Sequence, residues 1–422
     1  MMYKKTVLKD NLRVILVPRK DTAAVTLLVL FGVGSRYENR RISGVSHFVE
    51  HLMFKGTKKR PNTLAISKEL DGIGAEYNAF TSKDYTGYYI KADARHLALA
   101  VEVLSDMLLN SKFDSEEIER EKRVIIEEIN MYEDNPMMYV EDLLEQTIYG
   151  DQPMGWSIAG WRKTVSALTR AEIIKYFKHH YHPKNAVVIL AGQVDQKAVS
   201  LLAKKFKLIK AKKTKFAAVK LKQKIQQIKV LAKTTEQLQV ALGFSAYAYN
   251  NPKLYALNIL AVILGGNMSS RLFLSVRERQ GLCYFIRASL NIYQDTGSLV
   301  IQAGLDKSRI KQALTLILSE LVKIKAGVTL EELKRAKEFL RGKVALDLED
   351  SSALAQFFGN QELLQGKIKT PAEKMAKLDL VTLKQVKAVA QEILVKNKLN
   401  LAVIGPNLKK QELEKIILQA KI

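Results

Sequence analysis

Two stretches of the chain, about 210 residues apart, carry the same run of elements, and this repetition constrains the fold more than any single motif. Thr86-Gly87 precedes a strand end, a helix and SEEIEREKRVIIEEINMYED, while Thr296-Gly297 precedes the same order ending in LEELKRAKEFLRGKVALDLED. Strands followed by helices, twice over, predict an α+β protein of two repeated α/β-sandwich domains, each a mostly antiparallel sheet covered by helices. A length of 422 residues leaves room for both. The segment KLIKAKKTKFAAVKLKQK near the midpoint is crowded with lysine and weak in periodicity. The expected division is therefore residues 1–206, a lysine-rich linker over 207–228, and a second domain over 229–422.

Within the first half, residues 5–18 read as two short strands around Asp10-Asn11, and Ala24–Gly32 reads as a buried strand. GVSHFVEHLMF (44–54) has apolar residues at helical spacing, with Ser43 or Ser46 available as its cap. A strand pair over 76–92, helices over 94–109 and 115–132, and a strand over 186–191 complete the expectation.

The formal net charge of +24 is spread along the chain and accompanies no nucleic-acid motif, so it predicts a lysine-rich solvated surface with no nucleic-acid partner. The first residues alternate apolar and polar types, unlike a signal peptide, and no apolar run reaches the ~20 residues that span a bilayer. With Cys283 alone the chain makes no internal disulfide. A cytoplasmic chain without a membrane span is expected.

His47, Glu50 and His51 form H-x-x-E-H inside the expected helix. Histidines at i and i+4 share a helix face, so both imidazoles reach one ion, and Glu50 lies near that face as a general base. A catalytic zinc needs a third protein ligand, and the 115–132 helix offers Glu121, Glu127 and Glu128. Ile118, Glu121, Ile125, Glu128 and Tyr132 run along one face, whereas Glu127 lies one step round, which selects Glu128. Glu121 on the same stripe either accepts the other ring N–H of a ligating histidine or makes a plain salt bridge. His179, His180 and His182, in KHHYHP, fall where a helix ends, and basic side chains suit that position without a second metal.

These residues resemble peptidase family M16, the pitrilysin and processing-peptidase type: H-x-x-E-H is followed by a glutamate far downstream, within GVSHFVEHLMFKGTKKRP and EREKRVIIEEINMYEDNP. The resemblance extends over most of the chain and looks most like the short bacterial members. GAEYNAFTSKDYTGYY resembles the family's substrate-binding edge strand, which implies that Asn78, Ala79, Phe80 and Thr81 pair with a peptide. GGNMSSRLFLSVRERQGLCYFI resembles a second-half motif, which implies that Arg277 and Tyr284 contact substrate and assist catalysis. Asp10-Asn11 stands where many relatives have Asn-Gly, a difference confined to a hairpin.

Aligned by the repeat, His47 and His51 fall opposite Leu257 and Ala261, and Glu128 falls opposite Val344, so the second half holds no matching metal set. The resemblance implies a zinc endopeptidase that hydrolyses unstructured peptides or presequence-like segments in a clamshell chamber. It also implies a homodimer, or a heterodimer with a metal-less homologue. The rival readings are a non-catalytic scaffold of the same fold and a polyanion-binding protein.

Overall fold

The computed structural model describes residues 2–208, 215–221, 223–406, 408–420 and 422, so part of the expected linker, residues 209–214 and 222, lies outside the described residues. The chain folds into two compact units, each built on one sheet.

The first sheet contains β1 (Lys4–Val7), β2 (Arg13–Pro18), β3 (Ala24–Phe31), β4 (Glu76–Thr81), β5 (Thr86–Asp93) and β6 (Ala186–Gly192), in the order β1-β2-β6-β3-β5-β4. The second contains β7 (Gln227–Ala232), β8 (Leu238–Ala246), β9 (Cys283–Ile292), β10 (Gly297–Leu305) and β11 (Leu399–Gly405), in the order β7-β11-β8-β10-β9. The two orders superpose as one pattern. In each, one strand pair is parallel, β2 with β6 and β7 with β11, and the next three pairs are antiparallel. The repeat read from the sequence is thus a repeat of topology.

Local chemistry explains the elements. All seven residues of β6 are buried, as a strand inside a two-sided sheet requires. The β1–β2 turn places Asn11 at φ 72°, a left-handed conformation that asparagine tolerates, and the Asp10 carboxylate accepts the Leu12 N–H at 3.1 Å. The helices of the first half are α1 (Val45–Leu52), α2 (Thr63–Asp71), α3 (Leu97–Asn110), α4 (Ser115–Asp134), α5 (Pro136–Tyr149), α6 (Arg162–Ala167), α7 (Arg170–His180) and α8 (Lys197–Lys205). Those of the second are α9 (Leu254–Ala261), α10 (Ile310–Ala326), α11 (Leu330–Asp347), α12 (Ser351–Gln365), α13 (Pro371–Asp379), α14 (Leu383–Ile393) and α15 (Lys410–Gln419).

The contiguous division at 207–228 describes the sheets but not all the helices. One compact unit comprises Met1–Ile129, Ser157–Ala217 and Val344–Thr370; the other comprises Asn130–Trp156, Ala218–Lys343 and Pro371–Ile422. Helix α5, from the first half, therefore belongs to the second unit, and α12, from the second half, belongs to the first. The physical reason is that each sheet has two apolar faces. In the first unit one face packs on α1, α3 and α4, while the other, with Ile15, Leu28, Leu30 and Ile189, packs on Leu354, Ala355 and Phe358 of α12. In the second unit, Val140, Leu143, Leu144 and Ile148 of α5 cover Ala241, Val300, Ala402 and Ile404. No helix among the described residues is long and apolar enough to cross a membrane.

Candidate metal centre

Helix α1 carries His47, Glu50 and His51 with Phe48, Val49 and Leu52 buried beneath them. Neither serine expected as its cap plays that part. The N-cap is Gly44, at φ 97°, which makes no side-chain cap, and the carboxylate of Glu38 accepts the main-chain N–H of Gly44 at 2.7 Å and of Ser46 at 2.8 Å. A remote carboxylate thus satisfies the start of the helix, a pairing that no local spacing announces.

Helix α4 lies in the same unit over the part that matters, and its buried stripe is Ile118, Glu121, Ile125 and Ile129. Glu128 is half-buried beside this stripe, whereas Glu127 is exposed. Glu128 Oε2 stands 3.5 Å from His47 Nε2 and 3.4 Å from His51 Nε2, and the two Nε2 atoms are 3.3 Å apart. These three side chains form the one group among the described residues whose histidine, cysteine or carboxylate atoms could jointly hold an ion. The triangle fits a particular ion geometry. A tetrahedral zinc with bonds of ~2.0–2.1 Å places its ligand atoms roughly 3.3–3.4 Å apart, which is the spacing of these nitrogens and oxygen. Two imidazoles and one carboxylate are also the donor chemistry of a catalytic rather than a structural zinc.

Glu121 resolves both readings offered for it. Its Oε2 lies 3.0 Å from His51 Nδ1 and its Oε1 lies 2.7 Å from Lys55 Nζ, so it orients the histidine and makes a salt bridge together. The groups set one another's charge. Burial pulls His51 down, but its hydrogen bonds to Glu121 and Glu128 raise it to about 9; burial and the neighbouring His51 lower His47 to about 4. The two carboxylates favour the protonated form of His51 when no metal is bound, so acid competes with a metal for this place. The hydrogen bond from His51 holds the Glu128 carboxyl below its usual range. Changing Glu121 to Gln is expected to weaken metal affinity by about 10–100-fold, measured by competition with a chelator; an unchanged affinity would reduce Glu121 to a structural partner.

Glu50 faces the inner end of β4. The Thr81 hydroxyl donates to its carboxylate, and burial pushes the carboxyl up while that hydrogen bond pulls part of the shift back. Behind it the Tyr88 and Tyr181 hydroxyls are 2.8 Å apart. β4 is an edge strand, paired only with β5 among the described residues. Ser82 N–H donates to Tyr85 O, which closes a two-residue hairpin, so alternation turns the main-chain groups of Tyr77, Ala79 and Thr81 outward, while those of Asn78 and Phe80, expected to face a peptide, turn toward β5 because their register places them at its hydrogen-bonded positions. The Ala79 N–H meets the side-chain oxygen of Asn78 at 2.8 Å, in accord with that direction. The ring of Phe80 lies against Gly87, where an added Cβ would sit 2.3 Å from it.

Arg277 and Tyr284 belong to the second unit and form their own pair. Arg277 sits in a π-helical turn, Phe273–Glu278, and its guanidinium lies 4.7 Å from the Phe273 ring centre and 5.7 Å from that of Tyr284. Tyr284, at the start of β9, is 74% exposed, so its ring is presented to solvent instead of filling a core. The helix corresponding to α1 is α9, whose Leu257 and Ala261 are buried and apolar. At and just past the end of α7, His180 and His182 are buried, and among the described residues neither belongs to a group of side chains placed to hold an ion.

Sequence reasoning passed over Glu38, Lys55, Tyr88 and Tyr181, and placed Thr81 only in the strand, not against Glu50. Lys55 lies four residues beyond His51, just past the helix end, and that interval was its only available signal.

Residues 13–161 match the family described as Insulinase (Peptidase family M16), and residues 167–340 match the Peptidase M16 inactive domain. A protein of Bacillus subtilis named as an uncharacterized zinc protease is 35% identical over 414 residues, spanning 96% of this chain and 99% of its own. Another so named, from Streptomyces coelicolor, is also 35% identical and covers 97% and 90%. The crystal structure of a protease from Helicobacter pylori superposes with a TM-score of 0.89 at 25% identity, over 96% of this chain and 99% of that one. With both halves of the chain matched and full-length relatives at this identity, the protein belongs to peptidase family M16.

Proposed function

We propose that the chain is a zinc endopeptidase acting on extended, unstructured peptides. The observation that carries this reading is the 3.3–3.5 Å triangle of His47, His51 and Glu128 with Glu50 one residue away from the second histidine. Zinc named in the relatives suits this donor set, and bound there it would polarise the scissile carbonyl and make water more acidic.

The side chains supply the rest. Glu50 takes the proton of the attacking water and returns it to the leaving amine, and its raised affinity for a proton matches a group that must both accept and release one. The outward main-chain groups of Tyr77, Ala79 and Thr81 pair with a substrate backbone, which takes the Ala79 N–H from the Asn78 side chain. Main-chain pairing reads extension more than sequence, so folded proteins are poor substrates. Tyr284 donates to the carbonyl oxygen as charge develops, and Arg277 holds a second substrate carbonyl. With one cysteine and no disulfide, the chain suits the reducing cytoplasm.

Cleavage of a quenched unstructured peptide by the purified chain, its loss on chelation and its return with zinc test the reading. A chain that binds zinc and cleaves no such peptide would favour the scaffold alternative.

Arg277 and Tyr284 act in this proposal on the metal centre of a second copy. A mixture of Glu50→Gln and Tyr284→Phe chains, each expected to be ~10²-fold or more impaired alone, then recovers about a quarter of wild-type activity, because half the dimers carry one intact site. No recovery on mixing defeats the shared site.

A further inference from the structure

The short helix that carries both histidines and Glu50 is held at its start by a group that none of the preceding chemistry uses. Helix α1 has only eight residues, too few to fix its own position, so its placement depends on what grips its ends. At the N-terminus that grip is Glu38: one carboxylate oxygen takes the Gly44 N–H and the other takes the Ser46 N–H, one residue before His47. Glu38 is 5% exposed.

The same short segment is fastened on its other side to the hairpin that ends β4. Ser35 N–H donates to Ser82 O and Arg36 N–H donates to Lys83 O, each at 3.1 Å, and the buried Arg36 guanidinium pairs with Asp84 at 2.8 Å. Gly34 is required by the closeness of this contact, since an added Cβ would lie 2.1 Å from Ser82 O. Residues 34–38 therefore tie the end of β4, where Thr81 meets Glu50, to the start of α1.

We infer that Glu38 is a positioning residue of the metal centre: its two-oxygen grip on Gly44 and Ser46 sets α1 in register with β4 and α4, so that His47 and His51 converge on Glu128 and Glu50 meets Thr81. The inference rests on the peptidase reading only for its catalytic consequence; metal affinity tests it separately. Displacements of about 1 Å in such a constellation cost on the order of 10²-fold in rate.

Glu38→Gln and Glu38→Ala are the variants. Burial pushes the Glu38 carboxyl up to about 8, so a neutral amide of the same shape suits the pocket and the Gln chain is expected to fold. Its amide keeps one acceptor and loses the other, whereas Ala loses both. Zinc affinity by chelator competition is measured on chains shown by circular dichroism and melting to be folded, together with kcat and KM on an unstructured peptide. The Gln chain is expected to bind zinc about 10-fold more weakly and to lose about 10-fold in kcat, with KM within about twofold, and the Ala chain to lose more of both. A folded Gln chain with wild-type zinc affinity and kcat, whatever its melting temperature, overturns the inference and leaves Glu38 a plain helix cap. If Ala does not fold, Gln decides alone. A wild-type chain that holds zinc and cleaves nothing defeats the peptidase reading instead, and the affinity comparison still decides Glu38.

Discussion

Glu50→Gln is expected to keep one zinc per chain while lowering kcat by about 10²–10⁴-fold, the range for removing a general base. The substitution preserves the shape of the side chain and its contact with Thr81, and leaves His47, His51 and Glu128 untouched, so only the proton-accepting oxygen pair is lost. KM for an unstructured peptide should change little if, as proposed, the peptide is held by the edge of β4 and not by Glu50. Metal analysis and steady-state kinetics on the same preparation read both halves of the result. Undiminished turnover would remove Glu50 from the mechanism, and lost zinc would make it structural.

Glu128→Gln is expected to weaken zinc binding by more than about 100-fold, beyond the loss from an orienting partner such as Glu121. An amide oxygen carries no charge, and Glu128 is the anion facing both His47 and His51. Glu127→Gln, one step round α4 and exposed, is expected to leave affinity within about twofold. Equal behaviour of the two variants in chelator competition would reassign the third ligand.

Periodicity distinguishes the adjacent glutamates because α4 is amphipathic and, of the two, Glu128 lies beside its buried stripe while Glu127 is exposed. The juxtaposition of His47 and His51 is legible for the same reason, since residues four apart on a helix share a face. The succession of strands and helices is legible as a repeat, whereas the return of β6 and β11 from far along the chain into the middle of each sheet is not. What sequence did not disclose are contacts between distant segments. Glu38 caps α1 from six residues before Gly44, Thr81 reaches Glu50 from another element, and Lys55 joins Glu121 from the loop just past α1. Each depends on tertiary placement, and glutamate, threonine and lysine at such positions carry no periodic mark. The exchange of α5 and α12 was hidden likewise, because an amphipathic helix announces that it has an apolar side and not which sheet that side will meet.

That exchange bears on synthesis. The face of the first sheet formed by Ile15, Leu28, Leu30 and Ile189 is covered by Leu354, Ala355 and Phe358 of α12, with Leu348 and Ile368 beside them, so that cover arrives only after most of the chain has been made. A fragment ending at the midpoint would expose the same apolar strands and associate through them, and a ribosome-bound chain would need that surface shielded until the late helix emerged.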